Sequence, residues 1–157
     1  MARRTSFYCD HMTKMSAIAP VPALRLGLVS QIGAWTMEQV LGLRPFVPAK
    51  DLAVSKRYYE ALGFAPTHED DGIVILKLES FSFILQKFYV KELAENFMLQ
   101  LMVRNVDLFW ERVEAARLDQ EFGVRPPRPP AMQSWGMRVG FLFDPSGVLW
   151  HIADSMF

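Results

Sequence analysis

The chain has 157 residues, of which 51% are apolar, 13% aromatic and 22% charged, enough to bury a sizeable core and too apolar for intrinsic disorder. Lys plus Arg and Asp plus Glu stand at 17 each, and a net charge of 0 offers no footprint for nucleic acid or an anionic membrane. Cys9 is the one cysteine, which excludes an intrachain disulfide and a Cys-rich zinc site and points to a reducing, cytoplasmic setting.

Residues 1–40 show no sustained hydrophobic period and read as an N-terminal extension, poorly defined or non-native, to a single domain over residues 41–157. Over residues 1–36 Arg3, Arg4, Lys14 and Arg25 face Asp10 alone, so the 121 residues that follow are mildly acidic. Pro20, Pro22, Arg25, Ser30 and Gln31 interrupt its most apolar stretch, short of the roughly twenty continuous apolar residues of a membrane span. Asp10, His11 and Lys14 occupy the place of a secretory apolar centre. A start at Met37 and a real arm on a neighbouring subunit are both open readings of this segment.

A short strand is predicted over residues 43–49, then a helix over residues 51–62 opened by Asp51, whose carboxylate can accept from free N–H groups of the first turn. Val54, Tyr58, Ala61 and Leu62 recur at helical spacing, and Gly63 stops the helix. Extended runs follow at residues 64–69, 73–78 and 80–87, with Asp70, Asp71 and Gly72 in a tight turn. A helical turn over residues 90–95 belongs to the connection.

The order then repeats. Residues 97–104 are strand-like, Asn105 is an N-cap, and Val106, Phe109, Trp110, Val113 and Ala116 mark an amphipathic helix. Asp51 and Asn105 superpose the two helices without a gap. A strand over residues 122–125 is expected to lead into a loop of Pro126, Pro127, Arg128, Pro129 and Pro130, which cannot donate ladder hydrogen bonds. Strands over residues 137–143 and 148–153 flank a turn of Asp144, Pro145, Ser146 and Gly147. The fold class is α+β, two tandem βαβββ modules at residues 43–87 and 97–154.

Lys50-Asp51-Leu52 opening the first helix, Tyr58-Tyr59-Glu60-Ala61-Leu62-Gly63-Phe64 closing it, and Asp144-Pro145-Ser146-Gly147-Val148-Leu149-Trp150 near the end resemble the glyoxalase, bleomycin-resistance and extradiol dioxygenase superfamily, the vicinal oxygen chelate proteins. The resemblance spans residues 43–154 and is strongest to the bleomycin-resistance-like members, which often carry Trp-Gly where this chain has Trp135 and Gly136. It implies that the two modules form a cupped mixed sheet with helices on the outer face, a ligand cleft inside the cup and a homodimer. In the metal-dependent members four positions hold a divalent ion, and the residues at those places here are Arg44, Gln86, Met98 and His151. Arginine has no free lone pair and a thioether suits soft ions, so no metal and no other cofactor is expected.

Strand alternation places Phe46 beside Arg44, Ser82 and Ile84 beside Gln86, Gln100 and Met102 beside Met98, and Leu149 beside His151, with Arg138 as an addition from the preceding strand. The candidate ligand-binding set is therefore Arg44, Phe46, Ile84, Gln86, Met98, Gln100, Trp135, Arg138 and His151. Arginines can clamp a carboxylate or carbonyl, glutamines orient an amide or hydroxyl, and Trp135 can stack on a planar ligand. The ordinary alternatives are that Arg44 pairs with an acid at the rim and that Trp135 packs in the core or a dimer contact. Sequestering a cationic glycopeptide calls for a strongly acidic cleft, which two arginines near the site oppose.

Three functions compete. The first is metal-free binding of a small organic molecule by a homodimer, with neither nucleic acid nor membrane as partner. The second is a glyoxalase-class lyase, isomerase or dioxygenase with a rebuilt metal site using His151 and Gln86. The third is a non-catalytic interaction module with a filled cup.

Overall fold

The computed structural model describes residues 41–155. The extension expected over residues 1–40, with Cys9, His11 and Met37, lies outside the described residues.

The first module runs β1 (Phe46–Pro48), α1 (Leu52–Ala61), β2 (Ala65–Glu69), β3 (Ile73–Leu78) and β4 (Phe81–Gln86). A single helical turn, α2 (Lys91–Ala94), leads to the second module: β5 (Met98–Val103), α3 (Val106–Ala116), α4 (Leu118–Phe122), β6 (Arg128–Met132), β7 (Arg138–Phe143) and β8 (Leu149–Asp154). The expected α+β duplication is present as two four-stranded mixed sheets, ordered β1-β4-β3-β2 and β5-β8-β7-β6. In each, the first strand pairs parallel to the last and the remaining pairs are antiparallel.

The caps form as their side chains dictate. Asp51 accepts from the Val54 N–H at 2.9 Å, and Asn105 accepts from the N–H groups of Asp107 and Leu108 at 3.0 and 3.1 Å. Gly63, at φ +97°, ends α1 in a conformation that a side chain resists. The equivalent place after α3 is Arg117, a non-glycine residue at φ +46° that turns the chain into α4.

One expectation is overturned. Residues 122–125 form no strand; α4 ends at Phe122, and the fourth strand of the second module is β6, through Pro129 and Pro130. The prolines are tolerated because β6 is an edge strand, pairing only with β7, and the register slips between Arg128 and Ala131.

Each sheet has one face covered by helix. Val47, Val74, Leu76, Phe83 and Leu85 bury that face in the first module, and Leu142, Trp150 and Ile152 do so in the second. The modules join through these covered faces in one aromatic cluster, in which Trp150 packs against Tyr59, Phe64 and Phe83 with ring centroids 5.6–6.0 Å apart. Trp150 Nε1 donates to the Tyr59 hydroxyl at 3.0 Å, and that hydroxyl donates to Asp144 Oδ2 at 2.8 Å. Asp144 Oδ1 accepts from the N–H groups of Ser146 and Val148, and Ser146 Oγ accepts from the Lys50 N–H at 2.9 Å. The Asp-Pro-Ser-Gly turn thus closes a hairpin and fastens the first module to the second. Burial of Asp144 pushes its carboxyl up to about 6 against the donors that favour its ionised form.

Candidate functional site

With the modules joined by their helix-covered faces, the opposite face of each sheet is left open, and the registers settle which side chains stand on it. In the first module Phe46 pairs with Ile84, which pairs with Ile75, and Gln86 pairs with Ile73, so these side chains share the open face. Arg44, just ahead of β1, donates from Nε to Ser82 Oγ at 2.9 Å, and Ser82 stands on the same face opposite Lys77. In the second module Met98 pairs with Leu149 and Gln100 with His151, and β7 adds Phe141 opposite His151 and Phe143 opposite Leu149.

The open faces are apolar and accessible at once. Phe46, Met98 and Met102 are 55%, 42% and 48% exposed, whereas Ile84, Gln86 and His151 are half-buried. His151 packs its ring edge-on against Phe141, with centroids 4.9 Å apart. Its burial lowers the imidazole pKa below the ordinary value, which favours the neutral ring with one donor and one acceptor nitrogen.

Two predicted residues stand elsewhere. Arg138 pairs across the hairpin with the side of β8 that carries Ile152 and Asp154, and it shares the face of Gly140 and Leu142 under α3. Its guanidinium donates to both carboxylate oxygens of Asp107 at 2.7 and 2.6 Å and lies 3.9 Å from Asp154. That fork holds the Asp107 carboxyl below its usual range. Arg138 is therefore removed from the open-face set, because β7 places odd-numbered side chains there. Trp135 sits in the turn between β6 and β7, 39% exposed, beyond the Met132–Arg138 pair that ends the ladder and away from His151.

Two arginines not foreseen stand on this face beside Phe141 and Phe143. Arg125, between α4 and β6, holds its guanidinium 4.8 Å from the centroid of Phe143, and Arg128 stands opposite Phe141 in the β6–β7 register. Phe141 and Phe143 were legible from alternation about Leu142; the arginines were not, because the chain crosses between the faces of the sheet just before β6.

At Arg44, Gln86, Met98 and His151, the four places that the resemblance implies for ion ligands, the side chains do not make a set of donors suited to one. The Arg44 guanidinium is a donor already bonded to Ser82, Met98 offers a thioether, and one imidazole and one amide remain on different modules. Among the described residues no group of three or more His, Cys, Asp or Glu side chains is placed to hold a metal ion. No helix among the described residues is long and apolar enough to cross a membrane.

Comparison with known proteins agrees with this architecture. The sequence model described as Glyoxalase/Bleomycin resistance protein/Dioxygenase superfamily matches residues 39–152. A bleomycin resistance protein of Klebsiella pneumoniae is 26% identical over 117 residues, covering 71% of this chain and 90% of its own. A crystal structure of a bleomycin-binding protein complexed with bleomycin superposes with a TM-score of 0.63 at 22% identity, covering 73% of this chain and 98% of that one. The bleomycin-binding protein of Streptomyces verticillus, complexed with copper(II)-bleomycin, does so at 0.62 and 20% identity, covering 74% and 98%.

Proposed function

Since the chain belongs to the glyoxalase, bleomycin resistance protein and dioxygenase superfamily, we propose that it binds a small organic molecule on its open sheet faces without a metal ion. The observation that carries the reading is the make-up of those faces: exposed Phe46, Met98 and Met102 around the polar groups of Gln86, Gln100 and His151, with Arg44 and Met98 at two of the places implied for metal ligands. Apolar concavities with a few convergent polar groups suit small-molecule recognition. Sequestration needs no catalytic group.

The described residues of a single chain leave these faces without an opposing wall. A homodimer supplies one, and exposed Phe46 and Met98 are the side chains a second copy would cover. The lone cysteine suits a reducing cytoplasm. Bleomycin is not the ligand proposed, since a cationic guest is disfavoured beside Arg44, Arg125 and Arg128.

Thermal-shift and calorimetric titrations of the full chain test this. Organic ligands are expected to raise the melting temperature, with the effect weakened in Arg44→Ala, while Ni²⁺, Zn²⁺, Mn²⁺ and Fe²⁺ leave it unchanged. Stoichiometric metal binding that disappears in His151→Ala would overturn the metal-free reading.

A further inference from the structure

Charge is sorted between the two faces of each sheet. No strand of the described residues places an Asp or Glu on its open face: β3 offers Ile73, Ile75 and Lys77 there, and β8 offers Leu149, His151 and Ala153. The acids of the sheets stand elsewhere, Glu69 on the covered side with Lys56 and Asp154 on the covered side near Arg138. The cations of the open faces are Arg44, Lys77, Arg125 and Arg128. The one carboxylate bonded to an open-face side chain is Asp70, in the β2–β3 turn, at 3.3 Å from His68 on the outermost strand.

The second module concentrates this chemistry. Phe141 and Phe143 lie two residues apart on β7 and form an aromatic floor, with His151 edge-on at one end and Leu149 opposite the other. The Arg125 guanidinium lies over the Phe143 ring, 4.8 Å from its centroid, and a guanidinium that has no carboxylate partner keeps N–H donors for an anion. Among the described residues neither Arg125 nor Arg128 has a carboxylate within 4.0 Å, in contrast to Arg138 on the covered face. A guanidinium fork matches two planar oxygens.

We propose that this face of the second module recognises a planar aromatic carboxylate, its ring laid over Phe141 and its carboxylate held by Arg125, above Phe143, and by Arg128. The inference rests on the small-molecule reading above and adds the ligand class. Gln100, in register with His151 on the neighbouring edge strand β5, can meet a polar substituent on the ring. Neutral His151 adds a hydrogen-bonding nitrogen without a competing charge.

Three probes of one shape isolate the charge: 2-naphthoate, 2-naphthalenemethanol and 2-naphthylmethylammonium, titrated into the full chain by calorimetry. The acid is expected to bind about tenfold or more tightly than the alcohol and the ammonium least, with the advantage of the acid shrinking as salt is raised. Arg125→Gln and Arg128→Gln each remove most of that advantage, and both side chains are exposed, so the variants keep their fold. Arg138→Gln, on the covered face, leaves it intact. Tighter binding of the alcohol or the ammonium, or an unchanged preference in both open-face variants, overturns the inference and leaves the small-molecule reading standing. Failure of all three probes to bind overturns both.

Discussion

In the first module α1 buries a small residue, Ser55, above a sheet that supplies bulky Val74 and Leu76; in the second, α3 buries Phe109 and brings Trp110 down on Gly140. The exchange follows the helix superposition, in which Ser55 matches Phe109 and Lys56 matches Trp110. A Cβ at Gly140 would lie 2.5 Å from Trp110 Cζ3, so glycine there makes room for the indole. The same gap between helix and sheet is filled from opposite sides, and the duplicated outline survives because total volume matters more than the residue at any one place. The modules differ again at their helix ends, Gly63 against left-handed Arg117, and on their open faces, where the second carries the aromatic floor and the arginine over it.

The largest effect expected from this contrast is at the matched pair Lys56 and Trp110. Trp110→Ala should cost about 3–5 kcal/mol, because nothing on Gly140 can fill the void. Lys56→Ala removes an ion pair with Glu69 at the surface and should shift the urea midpoint far less. Equal shifts would show that the two helix–sheet gaps are packed alike.

Next comes the latch between modules, which depends on one residue of the second. Asp144 has its folded-state pKa raised to about 6 from 3.8, so the native state binds its proton more tightly than the unfolded chain. The contribution of this group is therefore most favourable below about pH 4, falls as pH rises to about 6 and stays level above, a span on the order of 3 kcal/mol. Asp144→Asn should remove that slope. The difference in unfolding free energy between the two proteins, measured by urea titration from pH 4 to pH 7, reads it directly, and a difference independent of pH would remove Asp144 as its source.

The smallest effect is a gain. Arg117→Gly relieves a side chain in the left-handed region and should stabilise the second module by about 0.5–1 kcal/mol, seen as a higher urea midpoint with an unchanged slope. No gain, or a loss, would mean that the junction of α3 and α4 depends on contacts of the arginine stem.

Where local signals were strong, the sequence was readable nearly to the residue. Asp51 and Asn105 cap α1 and α3 as their side chains suggest, β3 occupies residues 73–78 as expected, and alternation places Phe46, Ile84, Gln86, Met98, Gln100 and His151 on open faces. The failures have tertiary causes. Prolines argue against a strand until it is known to be an edge, which hid β6. Arg138 enters the sequence reading only as an addition from the strand before the last, whereas continuing the Phe143–Leu149 and Phe141–His151 register puts it opposite Asp154. Counting outward from Ser146 would have shown that charge pairing in the sequence itself. Arg125 carries no local signal, because its position follows from where the chain crosses the sheet.

The prolines of β6 have a further result for the cell. Pro129 and Pro130 lack N–H groups, and a register slip distorts the ladder between Arg128 and Ala131; at the far rim of the other sheet, β2 carries Pro66 beside a slip of its own. These two rims lack the regular row of donors and acceptors on which a second chain could continue the sheet. Strand addition at β6 and β2 is thereby disfavoured, and association at these rims is left to side chains, the mode in which charge and shape can choose the partner.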